Sequence, residues 1–214
     1  MGKSILVGGL VLGLYLASAG SALAETREET AASYVDLGDK FARHADFKRA
    51  IAAYNIALQF APDFAPAYFN RGLAYEAQGE SLKAIADYTR TLEIVPRLTM
   101  ALYNRGNLRL KEGDLDAAVS DFDQALESDP RYVMAYNNRG IAKVSMGDVD
   151  GAMADFNAAI KINSHRPEAY VNRGLLRLQQ GQRVEAEHDF ARSIALQPSL
   201  RAFIDSRISQ ISQR

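Results

Sequence analysis

The stretch Ala135-Tyr136-Asn137-Asn138-Arg139-Gly140 decides the fold, because versions of it recur along the chain at a fixed interval. The triplet Asn-Arg-Gly occurs four times, with its glycines 34 residues apart at Gly72, Gly106, Gly140 and Gly174. One more step towards the N-terminus reaches Gly38, which follows Asp36 and Leu37. A period between about 20 and 50 residues is the mark of a repeat architecture, so this spacing governs the interpretation of everything else.

Five repeats fit this period: 31–64, 65–98, 99–132, 133–166 and 167–200. When residues are numbered 1 to 34 within each repeat, position 8 is always glycine and position 20 is always alanine. Position 24 is aromatic in all five: Tyr54, Tyr88, Phe122, Phe156 and Phe190. Position 15 is glycine four times, and position 32 is proline four times. Glycine and proline end helices, so each repeat is predicted to be a helix, a tight turn and a second helix.

The glycine at position 8 lies in the middle of the predicted first helix, where it costs about 0.5–1 kcal/mol relative to alanine. Five such costs need a structural reason. We expect that the missing side chain at position 8 and the methyl group at position 20 let the two helix backbones approach closely, with the aromatic ring of position 24 beside them.

This pattern of an aromatic at position 4, glycine at 8, alanine at 20, an aromatic at 24, a small residue at 27 and proline at 32 resembles the tetratricopeptide repeat over residues 31–200. The resemblance implies an all-α fold, a right-handed α-solenoid whose first helices line a concave groove. Residues 201–214 are similar to a sixth first helix without its partner. Their apolar stripe of Ile204, Ile208 and Ile211 predicts a capping helix, with a dimer seam as the alternative.

The first 24 residues differ from the repeats. Lys3 is their only charged residue, residues 5–19 are largely apolar, and Ala22-Leu23-Ala24 places small residues where a signal peptidase cuts. We predict a signal peptide cleaved before Glu25, and therefore a periplasmic or secreted protein whose residues 25–30 form a short N-terminal segment. The alternative is an uncleaved membrane anchor, since the apolar run is close to the roughly 20 residues that span a bilayer.

The composition of the 214 residues, with 48% hydrophobic and 24% charged, is that of an ordinary globular protein. The period favours one stacked array over two compact domains. The net charge of −1 does not suggest nucleic-acid binding. Cysteine is absent, which excludes disulfides, thiolate metal sites and a cysteine nucleophile.

Arginine at position 7 and aspartate at position 23 occur in the same four repeats, and the first repeat has Leu37 and Ala53 instead. We therefore predict an Arg–Asp bridge between the two helices of one repeat. Further bases follow at position 11. The alternative is a basic stripe that binds an anion, formed by Arg105, Arg109, Arg139, Lys143, Arg173 and Arg177.

Position 6 carries the candidate binding residues Asn70, Asn104, Asn138 and Asn172, one for each of four repeats, on the face expected to line the groove. An asparagine amide can both donate to and accept from a peptide backbone. The alternative is that each amide bonds a neighbouring helix and fixes the repeat geometry. Positions 5 and 9 add candidate groove residues: Phe69, Tyr103, Asn107 and Asn137.

No motif indicates an enzyme: the three histidines occupy three different repeat positions, and no phosphate loop, nucleophile elbow or metal-ligand spacing occurs. We predict no cofactor and no nucleic-acid partner, and contact with a membrane only through an uncleaved N-terminus. A binding mode known in the family, the clamp for a C-terminal carboxylate, is not expected, because no base stands at positions 2 and 5. The sequence thus predicts an exported, non-enzymatic interaction module that binds an extended peptide or a partner protein in its groove. The alternative is a structural spacer or membrane-tethered scaffold that acts through its convex face or C-terminal helix.

Overall fold

The computed structural model describes residues 26–212, and the regular elements in this part of the chain are helices. The segment 1–24, with the predicted signal peptide, lies outside the described residues. The described part of α1 covers 26–43, so residues 26–30 are helical. The helices that follow are α2 (Phe47–Phe60), α3 (Ala65–Ala77), α4 (Ser81–Ile94), α5 (Thr99–Glu112), α6 (Leu115–Ser128), α7 (Val133–Met146), α8 (Val149–Ile162), α9 (Pro167–Gln179), α10 (Arg183–Leu196) and α11 (Arg201–Ser212).

The turns between paired helices follow the predicted chemistry. Gly79, Gly113, Gly147 and Gly181 all have positive φ angles, between 77° and 85°. The first repeat has Ala45 in the same conformation, with a φ angle of 57°. Aspartates cap three of the second helices by accepting a backbone N–H: Asp46 from Arg49, Asp114 from Ala117 and Asp148 from Gly151.

The mid-helix glycines are explained by the aromatic residue at position 24 more than by contact between backbones. A Cβ atom on Gly140 would lie 2.6 Å from the Cε1 atom of Phe156, and one on Gly72 would lie 2.8 Å from that of Tyr88. The same relation joins Gly106 to Phe122 and Gly174 to Phe190. The ring of the second helix therefore fills the space that the glycine of the first helix leaves free.

The contacts divide the chain into two compact units, with unit 1 ending at Pro96 and unit 2 beginning at Arg97. The period favoured a single array. The division falls in the connection between α4 and α5, two residues before the predicted boundary between the second and third repeats. Unit 1 contains α1–α4, with a core of small residues around Tyr54. Unit 2 contains α5–α11 and has buried clusters around Phe156 and Phe190.

Helix α11 ends unit 2 by packing on α9, as the predicted apolar stripe required. Ile204 is buried in a cluster with Val171 and Phe190, and Ile208 packs at its edge. Four repeats bury alanine at position 3, but the corresponding Phe203 of α11 is 51% exposed. Ile204 stands at position 4, where Leu102 and Tyr170 are also buried in their repeats. The burial of α11 therefore follows position 4 of the repeats.

Candidate functional site

The eight residues predicted to line the groove lie on first helices and are half-buried. Unit 1 holds Phe69 and Asn70 on α3. Unit 2 holds the other six: Tyr103, Asn104 and Asn107 on α5, Asn137 and Asn138 on α7, and Asn172 on α9. Positions 5, 6 and 9 fall on one face of a helix, so each unit presents its candidates on one side of its first helices.

In unit 1 the asparagine of position 6 is bonded to a carboxylate. Asn70 Nδ2 donates to Asp39 Oδ1 over 2.9 Å, and the Tyr54 hydroxyl donates to the same oxygen over 2.7 Å. Burial, together with the hydrogen bond to Asp39, raises the pKa of Tyr54. These residues line a hollow of about 260 Å³ that also includes Arg43 and Phe47.

In unit 2 the asparagines form a chain of amides across three first helices. Asn172 Nδ2 donates to Asn137 Oδ1 over 2.9 Å, and Asn137 Nδ2 donates to Asn138 Oδ1 over 2.9 Å. Asn138 Nδ2 then donates to Asn107 Oδ1 over 2.6 Å and to the Tyr103 hydroxyl over 3.2 Å. Asn104 takes part in none of these bonds. We call Asn107, Asn137, Asn138 and Asn172 the amide chain.

The amide chain keeps hydrogen-bonding capacity in reserve. Each carboxamide has two N–H donors and an oxygen with two lone pairs, and each bond in the chain uses one donor and one lone pair. Within the described residues, no group accepts from the amide of Asn107 and no group donates to the oxygen of Asn172. The amide chain therefore fixes the first helices of unit 2 relative to one another and still has hydrogen-bonding groups available to a guest.

Two hollows of unit 2 adjoin the amide chain. The first, of about 150 Å³, is lined by Tyr103, Asn137, Asn138 and Met134, with Arg166 and Glu168 at its rim. The second, of about 210 Å³, is lined mainly by apolar residues of α7 and α9 together with Asn172 and, from α11, Arg207. Three of the predicted groove residues therefore meet in one hollow, and a fourth lines the next.

The two predicted aromatic groove residues pack against aromatic rings of neighbouring helices. The ring of Phe69 packs against Tyr88 with centroids 5.8 Å apart. Tyr103 packs against Phe122 at 6.1 Å and edge-on against Tyr132 at 5.1 Å. Tyr103 still presents its hydroxyl to the amide chain, so in unit 2 this aromatic has both a packing contact and a polar contact.

The predicted Arg–Asp bridges are confirmed in all four repeats. Arg71 donates from Nε and Nη2 to both carboxylate oxygens of Asp87, over 2.8 and 2.7 Å. Equivalent two-point bonds join Arg105 to Asp121, Arg139 to Asp155, and Arg173 to Asp189. The four aspartates are almost wholly buried, at 0–5% exposed. The hydrogen bonds to Asp87 raise the pKa of Arg71, so its guanidinium stays charged.

The bases at position 11 share the same aspartates in unit 2. Arg109 lies 2.8 Å from Asp121, Lys143 lies 2.9 Å from Asp155, and Arg177 lies 2.8 Å from Asp189. All six residues of the predicted basic stripe are thus in ion pairs, two bases to each aspartate. This arrangement favours the structural interpretation of the stripe over an anion site.

The described residues hold no group of three or more metal-ligating side chains. In the same part of the chain, no helix has the length and apolar character needed to cross a membrane.

Comparison with known proteins gives the family. The tetratricopeptide repeat profile matches residues 103–167 and 138–201, and two further profiles of these repeats match 38–79 and 65–98. The chain belongs to the tetratricopeptide repeat family. The predicted family and the all-α solenoid fold are therefore confirmed, and the chain is accordingly a protein–protein interaction module, of a class that in general binds protein or peptide partners.

Solved structures of tetratricopeptide repeat proteins have the same fold. A crystal structure of MamA is 26% identical, with a TM-score of 0.73, and the match covers 82% of this chain and 96% of that one. YrrB, described as having an unusual peptide-binding site, is 19% identical with a TM-score of 0.73, covering 91% and 97%. PilF of Pseudomonas aeruginosa is 19% identical with a TM-score of 0.69, covering 87% and 90%. No curated protein matches the sequence.

Two residues of this tetratricopeptide repeat protein belong with the candidate site but were not predicted. Asp39 accepts from Asn70, and its only sequence signal is a polar residue at position 9 of the first repeat. Arg207 stands at position 7 of α11, 34 residues after Arg173, and lines the second hollow of unit 2. The period places it in register with the paired arginines, but spacing alone does not show that it borders a hollow.

Proposed function

We propose that the chain is an exported, non-enzymatic module whose first helices bind an extended segment of a partner protein, with the amide chain of unit 2 as its main contact. The observation that carries the proposal is the unbroken series of hydrogen bonds from Asn172 to Asn107, with a hollow beside it on either side. An extended segment offers backbone groups at regular intervals and side chains between them.

The chemistry of an amide chain suits a guest whose sequence varies. A carboxamide can donate to a backbone carbonyl and accept from a backbone N–H without contacting the side chains. Half-buried positions favour such bonds, because a hydrogen bond is electrostatically stronger where water is partly excluded. The adjoining hollows of about 150 and 210 Å³ supply the apolar contacts that select particular side chains.

A second candidate function is a scaffold that acts through its outer surface. Leu82 on α4 is 76% exposed and Val184 on α10 is 65% exposed, and both stand at position 18 of their repeats. In either unit, an exposed apolar side chain on a second helix would suit a partner that docks outside the groove. The experiment that follows separates this candidate from the groove.

The test is a selection of random peptides displayed on phage, with the chain from Glu25 immobilised as bait. A parallel bait carries Asn137→Ala and Asn138→Ala, and a matched control carries Gln124→Ala, which removes an exposed amide from the second helix α6. Circular dichroism confirms that all three fold. We expect peptides selected on the first bait to bind the double variant about tenfold or more weakly by fluorescence anisotropy, and to bind the control unchanged.

Equal binding to all three baits would overturn the groove proposal and favour the outer surface. Export is tested separately, by N-terminal mass spectrometry of the protein recovered from its native host. A mature N-terminus at Glu25 in the soluble exported fraction is expected. An intact N-terminus in the membrane fraction would favour the tethered scaffold instead.

A further inference from the structure

The second hollow of unit 2 combines apolar walls with one cation. Ile141 and Val144 of α7 and Leu175 and Leu176 of α9 line this hollow, whose volume is about 210 Å³. A cavity of about 150 Å³ with such walls is large enough for a benzene-sized group. The hollow can therefore take a branched aliphatic side chain.

Arg207 differs in its contacts from the other arginines at position 7 in unit 2. Arg105, Arg139 and Arg173 are each bonded to a buried aspartate. The Arg207 guanidinium is exposed and donates to the side-chain oxygen of Gln210 over 2.9 Å. No carboxylate occurs among the residues that line this hollow. The positive charge of Arg207 therefore has no opposite charge within the lining.

We infer that the hollow selects a partner segment in which an acidic side chain adjoins an aliphatic one. This inference rests on the proposed function, because it assigns the guest's side-chain chemistry at the Asn172 end of the amide chain. A guanidinium at the rim binds a carboxylate in a two-point geometry, and the walls bury the aliphatic neighbour. The open oxygen of Asn172 is then available to a backbone N–H of the same segment.

The side chain of an internal residue fits the hollow better than a C-terminal carboxylate does. Capture of a chain terminus uses several converging donors, such as a nest of backbone N–H groups. This hollow has a single cation, and positions 2 and 5 of the first helices carry no base. One charge beside an apolar pocket matches an Asp or Glu within a continuing chain.

The test uses a synthetic library of extended hexapeptides, acetylated and amidated so that no terminal carboxylate is present. The baits are the chain from Glu25, its Arg207→Glu variant, and an Arg201→Glu control that makes the same charge change on an exposed residue of α11 outside the hollow. We expect the unaltered chain and the control to enrich Asp or Glu beside Leu, Ile or Val, and Arg207→Glu to enrich Lys or Arg at that place.

Affinities of the enriched acidic peptides should fall about fivefold or more with Arg207→Glu, and the difference should shrink as salt is added. Peptides that need Asn137 and Asn138 but bind Arg207→Glu equally well would overturn this inference and leave the proposed function standing. Enrichment only of peptides with a free terminal carboxylate, in a second library, would overturn the side-chain assignment. Failure to enrich any peptide would count against both proposals.

Discussion

Units 1 and 2 use the same asparagine position with different partners. In unit 1, Asn70 donates to a carboxylate, Asp39, which also holds the Tyr54 hydroxyl. In unit 2, Asn138 and Asn172 donate to other amides, and position 24 is phenylalanine, with no hydroxyl to satisfy. The repeat frame is the same, but the hydrogen bonds of Asn70 involve a carboxyl group, whereas the amide chain consists of neutral carboxamides.

The difference shows how one repeat frame supports two kinds of surface. A carboxylate is only an acceptor, so its neighbours must be donors, and the cluster in unit 1 has a single arrangement of hydrogen bonds. An amide can present either its oxygen or its nitrogen, so the amide chain of unit 2 can adjust to a guest. This contrast is why the proposed binding site is centred on unit 2.

The largest expected effect tests the ion pairs of the two units. Asp121 in unit 2 is fully buried and accepts from Arg105 and Arg109, so Asp121→Ala leaves two guanidinium groups without their carboxylate. We expect a loss of about 3–5 kcal/mol in the free energy of unfolding. Asp87→Ala in unit 1 strands one arginine, which keeps its bond to Asn55, and should cost less. Urea unfolding followed by circular dichroism measures both, and equal losses would contradict the contrast.

The second effect compares isosteric changes at position 6. Asn70→Asp places a second carboxylate beside Asp39 and should cost roughly 1–4 kcal/mol at neutral pH. The neighbouring charge raises the pKa of the new carboxyl in the folded state. The variant is therefore relatively more stable below the unfolded pKa of about 4, and loses stability as pH rises through the folded value.

Asn138→Asp is the matched change in unit 2. Its neighbours Asn107 and Tyr103 can turn a donor towards the new carboxylate, so we expect a loss below about 1 kcal/mol with little dependence on acid pH. Thermal unfolding between pH 4 and pH 7 measures both variants. If the two variants lose the same stability with the same pH dependence, the distinction between the clusters is wrong.

The third effect concerns the glycines opposite aromatic rings. A Gly→Ala change within a helix normally stabilises by about 0.5–1 kcal/mol. At Gly140 the new Cβ would meet Phe156 at 2.6 Å, so we expect a net destabilisation of about 1–2 kcal/mol, somewhat more than for Gly72→Ala against Tyr88 at 2.8 Å. Adding Phe156→Leu to Gly140→Ala should recover part of that loss. A gain in stability for Gly140→Ala would disprove the close approach.

The smallest effect tests the Tyr54 hydroxyl, which belongs to the carboxylate cluster of Asp39, Asn70 and Tyr54 in unit 1. Tyr54→Phe removes the donor to Asp39 and should cost about 1.5 kcal/mol. Because the folded pKa of Tyr54 is raised, its contribution is complete below the unfolded value of about 10 and declines as pH rises above it. Unfolding measured from pH 8 to pH 11 should therefore show a steeper alkaline loss for the unaltered chain than for the variant.

The periodic features of this protein could be predicted from its sequence. The glycine turns, the aspartate caps and the Arg–Asp bridges all recur at fixed positions, so one chain supplies several independent instances of each. The proline at position 32 stands two residues beyond the end of its helix in each case, as at Pro62 after Phe60. The interpretation of the basic stripe as paired residues followed from the joint absence of both partners in the first repeat.

The features that were not predicted depend on single residues or on the reach of side chains. Position 9 is Asp39, Leu73, Asn107, Ile141 and Leu175 in the five repeats, so nothing repeated pointed to the carboxylate cluster. The sharing of one aspartate by two bases depends on side-chain length and reach, which spacing alone does not give. Arg207 continues the position-7 arginines in register, but the hollow that it lines depends on how α11 packs, which a count of residues does not give. The peptide-binding role of the asparagines stays a prediction.

The arginine of position 7 has a consequence for how such an array can grow. Arg139 reaches Asp155 in its own repeat and Asp123 in the repeat before, and Arg173 reaches Asp189 and Asn157 in the same way. The two partners of Arg139 therefore lie 16 residues before it and 16 residues after it in the sequence. A repeat duplicated in register would thus carry both the arginine and the acceptor for the next arginine. The array could become longer with the same contacts between repeats.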